Sequence, residues 1–100
     1  FWILLLNQAN RMIGREKISA GGLSSTVVDA RVIFKKALEY NAASIVLCHN
    51  HPSGSLRPSQ ADLDLTQSLR KAGSQLDILV QDHLIVSEAG YYSFADEGIF

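Results

Sequence analysis

His49-Asn50-His51-Pro52-Ser53-Gly54, followed by Ser59 and Asp62, places two imidazoles two residues apart, then a turn, then a hydroxyl and a carboxylate three apart. The preceding Ala43-Ser44-Ile45-Val46-Leu47-Cys48 is an apolar run of strand type, so both histidines fall near a strand's carboxyl end. Residues i and i+2 of a strand point to one face, about 7 Å apart along it. That separation lets two ring nitrogens converge on one metal ion at about 2.0–2.1 Å. The competing reading is a hydrogen-bonded core histidine. Two of them at this spacing, ahead of a Gly-containing turn at a strand end, favour the metal.

Ser59-x-x-Asp62 by itself describes a capping box at a helix start, which needs no function. The two readings are compatible. A carboxylate at a helix N-terminus is held ionised by the helix dipole, the form a cation requires. His49, His51 and Asp62 would supply three protein ligands and leave a fourth tetrahedral position for water, the pattern of catalytic zinc sites.

Hydrolysis at such a site needs a general base. The acids upstream are Glu16, Asp29 and Glu39. Asp29 reads as a helix N-cap and Glu39 as a solvent-facing residue at a helix C-terminus. Glu16 remains, either as the base or as an exposed strand charge between Arg15 and Lys17. Cys48 alternates to the other strand face and reads as core. His83, within Asp82-His83-Leu84-Ile85, reads as structural, and Tyr91, Tyr92 and Phe94 as packing residues. The literal string His-Asn-His does not make a nuclease, because such nucleases spread those residues over a ββα metal finger.

One hundred residues suffice for a single domain with one core. The net charge of −1, with 9 basic and 10 acidic side chains interspersed, gives no nucleic-acid footprint. No apolar run approaches the ~20 residues of a membrane span. One cysteine excludes an internal disulfide and suits a reducing cytoplasm. Phe1 opens inside an apolar run without an initiator methionine, so the chain reads as a segment of a longer protein.

The element order expected is β-β-α-β-α-β-β, an α/β fold with helices packed on a mixed sheet. Strands 1–6 and 12–20 form a hairpin across Asn7-Gln8-Ala9-Asn10, and Gly21-Gly22 ends it. Asp29 caps a helix to about Tyr40, with Ile33, Phe34, Ala37 and Leu38 inward and Asn41 as its stop. Strand 44–48 follows. The second helix begins at Pro58-Ser59, buries Ala61, Leu65, Leu69 and Ala72, and closes at Gly73. Residues 76–86 form a strand interrupted by Gln81-Asp82-His83, and 91–94 form a last short one.

At these residues the chain resembles the JAB/MPN (JAMM) metalloprotease superfamily and, within it, RadC-like proteins. His-x-His, seven residues, Ser, two residues, Asp, with an earlier strand glutamate, is that family's pattern. His49, His51, Ser59 and Asp62 match every spacing. His-Asn-His-Pro-Ser-Gly, Phe34-Lys35-Lys36-Ala37-Leu38, Pro58-Ser59 and Asp82-His83-Leu84-Ile85-Val86 are similar to RadC-like stretches. The resemblance implies a cytidine-deaminase-like three-layer sandwich covering residues 1–100. It implies Zn²⁺ on His49, His51 and Asp62, Glu16 as proton acceptor, and Ser59 as donor to the oxyanion or water. Deaminase activity does not follow, since no Pro-Cys-x-x-Cys pair is present.

Two departures stand out. Asp29-Ala30-Arg31-Val32 occupies the place where RadC-like chains often carry His-Pro-Arg-Glu, and these residues contain no helix-hairpin-helix segment. The function expected is therefore a zinc-dependent peptidase or isopeptidase acting on a protein or peptide. The alternatives are a non-catalytic metal-binding scaffold or a protein associated with DNA repair, the latter by family name only.

Overall fold

The computed structural model describes residues 1–19, 28–51 and 53–100. The expected break at Gly21-Gly22 and Pro52 of the turn lie outside them; the second strand, expected over 12–20, stops at Lys17, because the amides of Ile18 and Ser19 both turn to the Phe1 carbonyl.

An unbroken apolar run, buried at alternate positions, makes β1 (Trp2–Leu6), which pairs antiparallel with β2 (Met12–Lys17). Asn7 shapes the turn between them: its Oδ1 accepts from the amides of Ala9 at 2.9 Å and Arg11 at 3.0 Å. Helix α1 (Ala30–Glu39) begins where predicted, with the Asp29 carboxylate accepting from the Arg31 amide at 2.9 Å. It stops at Tyr40, after which Asn41 takes a left-handed φ of 53°. Ile33, Phe34 and Ala37 are buried, but Leu38 is 57% exposed. At 100° per residue, Leu38 lies about 90° from the centre of that stripe, on the helix flank.

Strand β3 (Ser44–Asn50) runs two residues further than expected, so His49 belongs to the strand and His51 follows its end. Helix α2 (Gln60–Gln75) connects it to β4 (Leu79–Ser87), and β5 (Gly90–Ser93) closes the sheet. The strand order is β2-β1-β3-β4-β5, with β3 and β4 parallel and the other pairs antiparallel. This is the mixed-sheet α/β fold in the predicted order.

Two readings of α2 need correction. Its buried stripe is Asp62, Thr66, Leu69 and Gly73, while Ala61 is exposed, because the helix turns polar side chains inward to meet the histidines. Gly73 does not end the helix. It lies within it, and a Cβ there would stand 2.3 Å from the Ile78 carbonyl oxygen. Glycine is needed for that close approach.

Nor is β4 interrupted. It runs through residues 81–83 with one register shift: Ile45 pairs with Val80 and Val46 with Asp82, leaving Gln81 as a bulge. The extra residue reverses the alternation, so Val80, His83 and Ile85 all face the same layer and are all buried. Without it, His83 would point to the other side.

Ile3, Leu5, Ile45, Leu47 and Val80 form one core with Ile33, Phe34 and Ala37 of α1 and Leu69 of α2. Fully burying each such side chain contributes roughly 1.5–3 kcal/mol. Both helices thus cover one face of the sheet, and the described residues place no helix over the other. That second face carries Trp2, 40% exposed, and the partly exposed Leu4, Val46 and Cys48. Cys48 is therefore on the face expected but is not a core residue. Tyr91, at 64% exposure, does not pack either, whereas Phe94 is fully buried. No helix among the described residues is long and apolar enough to cross a membrane.

Candidate metal centre

Three elements converge at the carboxyl end of β3. The strand contributes His49, the residue past its end contributes His51, and the first turn of α2 contributes Asp62. One donor atom from each lies within 4.8 Å of the others. His49 is 6% and Asp62 5% exposed, while His51 is partly buried.

The capping box read in the sequence is present in full. The Ser59 Oγ accepts from the Asp62 amide at 3.0 Å, and the Asp62 Oδ2 accepts from the Ser59 amide at 2.8 Å. The same carboxylate faces both imidazoles: His51 Nε2 stands 2.9 Å from Oδ2 and His49 Nε2 stands 3.2 Å from Oδ1. Cap and candidate ligand are one side chain.

The donor set fits a cation. The Ser55 carbonyl 2.9 Å from His51 Nδ1 can only accept, so Nδ1 carries a hydrogen. In a neutral ring Nε2 then bears only a lone pair, and it confronts a carboxylate oxygen. Two acceptors at that distance call for a positive charge between them. His49 Nε2 is buried and has no hydrogen-bond partner, the one such side-chain atom among the described residues. Burying an unsatisfied acceptor is costly, and a metal ion removes the cost.

Protonation favours the same use. Burial holds the His49 imidazole below its ordinary pKa, against the opposing pull of Asp62, so the ring stays neutral. Burial pushes the Asp62 carboxyl up, but the hydrogen bonds from Ser59, foremost, and the electrostatics of the neighbouring histidines outweigh it and leave the group below the usual carboxylate value. Neutral imidazoles and an ionised carboxylate are what metal binding requires.

Glu16 is not part of this group. Its register partner Ile3 also pairs with Leu47, so Glu16 does face the helical layer, as His49 does. Its carboxylate, however, meets the Lys36 ammonium at 3.4 Å. Two strand spacings of about 4.8 Å separate β2 from β3. Phe1 lies against His49 from the side of β1, with ring centroids 5.6 Å apart and planes 16° apart. As expected, Asp29 serves α1 as its cap and Glu39 is exposed.

Two residues carry more than the sequence suggested. His83 is fully buried, with its Nε2 2.8 Å from His49 Nδ1 and its Nδ1 2.5 Å from Thr66 Oγ1. Thr66 was legible as the i+4 neighbour of Asp62 on one helix face. His83 was not, because its facing depends on the Gln81 bulge. An open cleft of about 500 Å³ adjoins His51, lined also by Asn50, Ser53, Gly54 and residues 86–89, the end of β4 and the turn that follows it.

The sequence matches the family model described as RadC-like JAB domain over residues 1–99. It is 52% identical over 100 residues to a UPF0758 protein of Flavobacterium johnsoniae, covering 100% of this chain and 44% of that protein. A UPF0758 protein of Porphyromonas gingivalis is 50% identical over 99 residues, 98% of this chain and 44% of its own length. The UPF0758 protein YfjY of Escherichia coli is 50% identical over 99 residues, 99% of this chain and 62% of its own. The chain thus spans less than two thirds of each of these relatives. On the full-length match and the His-x-His, Ser, Asp geometry, this chain belongs to the RadC-like JAB domain family.

Proposed function

We propose that this domain is a metal-dependent hydrolase of the peptidase or isopeptidase type, with Zn²⁺ held by His49, His51 and Asp62. The observation that carries the reading is the buried, partnerless Nε2 of His49, aimed with His51 Nε2 at one ionised carboxylate. Bound there, Zn²⁺ supplies charge that polarises a carbonyl and acidifies water. The protein's part is to keep the His49 imidazole neutral, keep Asp62 ionised and leave an open side toward the cleft beside His51. That cleft suits an extended peptide segment. Glu16 accepts the proton of the attacking water after its carboxylate leaves Lys36. Ser59, whose Oγ is already an acceptor in the cap, donates its hydroxyl hydrogen to the developing oxyanion.

The test begins with metal content. Purified protein should carry or take up zinc at one per chain, and His51→Ala should lose it. Glu16→Gln should keep zinc and lose turnover on a panel of peptides and ubiquitin-like conjugates. Absence of zinc, with no gain in stability on adding it, would refute the reading. The Glu16–Lys36 pair favours a second reading, a binding module whose metal site does no chemistry. Stoichiometric zinc without hydrolysis across the panel would select it.

A further inference from the structure

Outside the three donors, the most constrained polar group is the buried chain from Asp62 through Thr66 and His83 to His49. Its hydrogens can be assigned one by one. The Asp62 backbone carbonyl can only accept, so the Thr66 hydroxyl, 2.7 Å away, spends its hydrogen there. The Thr66 oxygen is then an acceptor for His83 Nδ1 at 2.5 Å, which must carry a hydrogen. A neutral imidazole has one hydrogen, so His83 Nε2 has a lone pair. It faces His49 Nδ1 at 2.8 Å, and that atom must donate. The lone pair of His49 is left on Nε2, the buried atom with no other partner.

We infer that Thr66 and His83 are positioning residues for His49: they fix its tautomer and ring orientation so that Nε2 is presented to the cation. What His49 does with that lone pair rests on the metal reading above. Which nitrogen carries the hydrogen does not. The chain starts at the carbonyl of Asp62, so the residue that supplies one ligand also anchors the lock on another. His83 itself is clamped between rings, 4.5 Å from Phe94 in a stacked pair and 5.9 Å from Phe1 edge-on. Fully buried, and with its ring nitrogens engaged by Thr66 and His49, neither of them an anion, His83 takes the neutral form, and the direction of donation follows from the Thr66 end of the chain. Buried acceptors behind metal-ligating histidines commonly raise metal affinity about 10–100-fold.

Thr66→Val keeps the shape and removes the acceptor. The His83 hydrogen then has no partner on Nδ1 and moves to Nε2, where it donates to His49 Nδ1 and drives the His49 hydrogen onto the metal-facing atom. Two measurements test this. In metal-free protein, two-bond ¹⁵N–¹H spectra of the imidazoles should show His49 and His83 both as Nδ1–H tautomers. By chelator competition, Thr66→Val should bind Zn²⁺ about 10–100-fold more weakly, and Thr66→Ser should restore affinity to within about threefold. An Nε2–H tautomer at His83 in the wild type, or wild-type zinc affinity in Thr66→Val, overturns the inference. If the wild type bound no zinc yet showed both Nδ1–H tautomers, the metal reading would fall and the lock would stand. If Thr66→Val did not fold, the wild-type tautomers would still decide.

Discussion

Asp62→Asn separates the two uses of one carboxylate. In metal-free protein the amide oxygen can replace Oδ2 and keep the hydrogen bond from the Ser59 amide, which fixes the amide nitrogen near the position of Oδ1. That nitrogen then points a hydrogen at His49 Nε2, 3.2 Å from the present Oδ1 and unpartnered. Satisfying a buried acceptor contributes about 1 kcal/mol, while removing the charge from the first turn of α2 costs about 0.3–1 kcal/mol. The expected change with chelator present is therefore within about 1 kcal/mol of zero. With zinc at 100 times its dissociation constant, the wild type gains about 2.7 kcal/mol and the variant gains nothing. For a chain of this size that gain is a rise of at least about 10 °C in Tm. Urea and thermal unfolding in chelator and in excess zinc give all four numbers. A loss of 3 kcal/mol or more in chelator would make the carboxylate chiefly a cap, and equal zinc stabilisation of both proteins would remove it from the ligand set.

Gly73→Ala should destabilise by about 1–3 kcal/mol by overpacking against the Ile78 carbonyl, although helix propensity alone favours alanine by about 1 kcal/mol; a stabilised variant in urea would show that the chain relaxes around the added methyl. Glu16→Gln should change stability by less than about 1 kcal/mol, since its pair with Lys36 is partly exposed, so any loss of turnover is chemical and not structural. Unchanged hydrolysis would take Glu16 out of the mechanism. The Asp29 carboxyl is held below the usual carboxylate range by the Arg31 side chain and amide. A group depressed on folding stabilises above its unfolded pKa and loses that contribution as pH falls through the folded value. Asp29→Ala should therefore be less stable than wild type at pH 7, and the difference should shrink as the pH falls below the usual carboxylate range, measured by urea midpoints at neutral and acid pH.

The donors were legible because they are local. His49 is set by strand alternation, His51 by its place just past the strand's end and Asp62 by helix-start chemistry, and none of these depends on how distant segments pair. The helix boundaries were legible for the same reason: Asp29, Asn41 and Ser59 act on their own neighbours. What misled was the assumption that a buried stripe is apolar. Ala61 and Leu38 were placed inward by hydrophobicity, whereas α2 turns Asp62 and Thr66 inward and leaves Ala61 in solvent. Gly73 looked like punctuation because a glycine near a helix end usually is, and only the approach of Ile78 shows its other use.

His83 illustrates the limit more sharply. Its side of the sheet depends on Gln81, and a bulge has no reliable sequence signature; the polar run 81–83 registered as a gap when it was one extra residue in a continuous strand. That residue decides whether a histidine lies behind the metal site or on the opposite face. The same logic explains why the cap reading of Ser59 and Asp62 could never exclude the ligand reading. A capping box holds its carboxylate by one oxygen from the Ser59 amide, and the second oxygen is free to face whatever the sheet brings to it. Here β3 brings His49 to that oxygen, while His51, past the strand's end, shares the capped one, and the other nitrogens of both rings are already committed, to His83 and to Ser55. A helix start built for stability becomes a candidate metal ligand when its neighbours have only lone pairs left to offer.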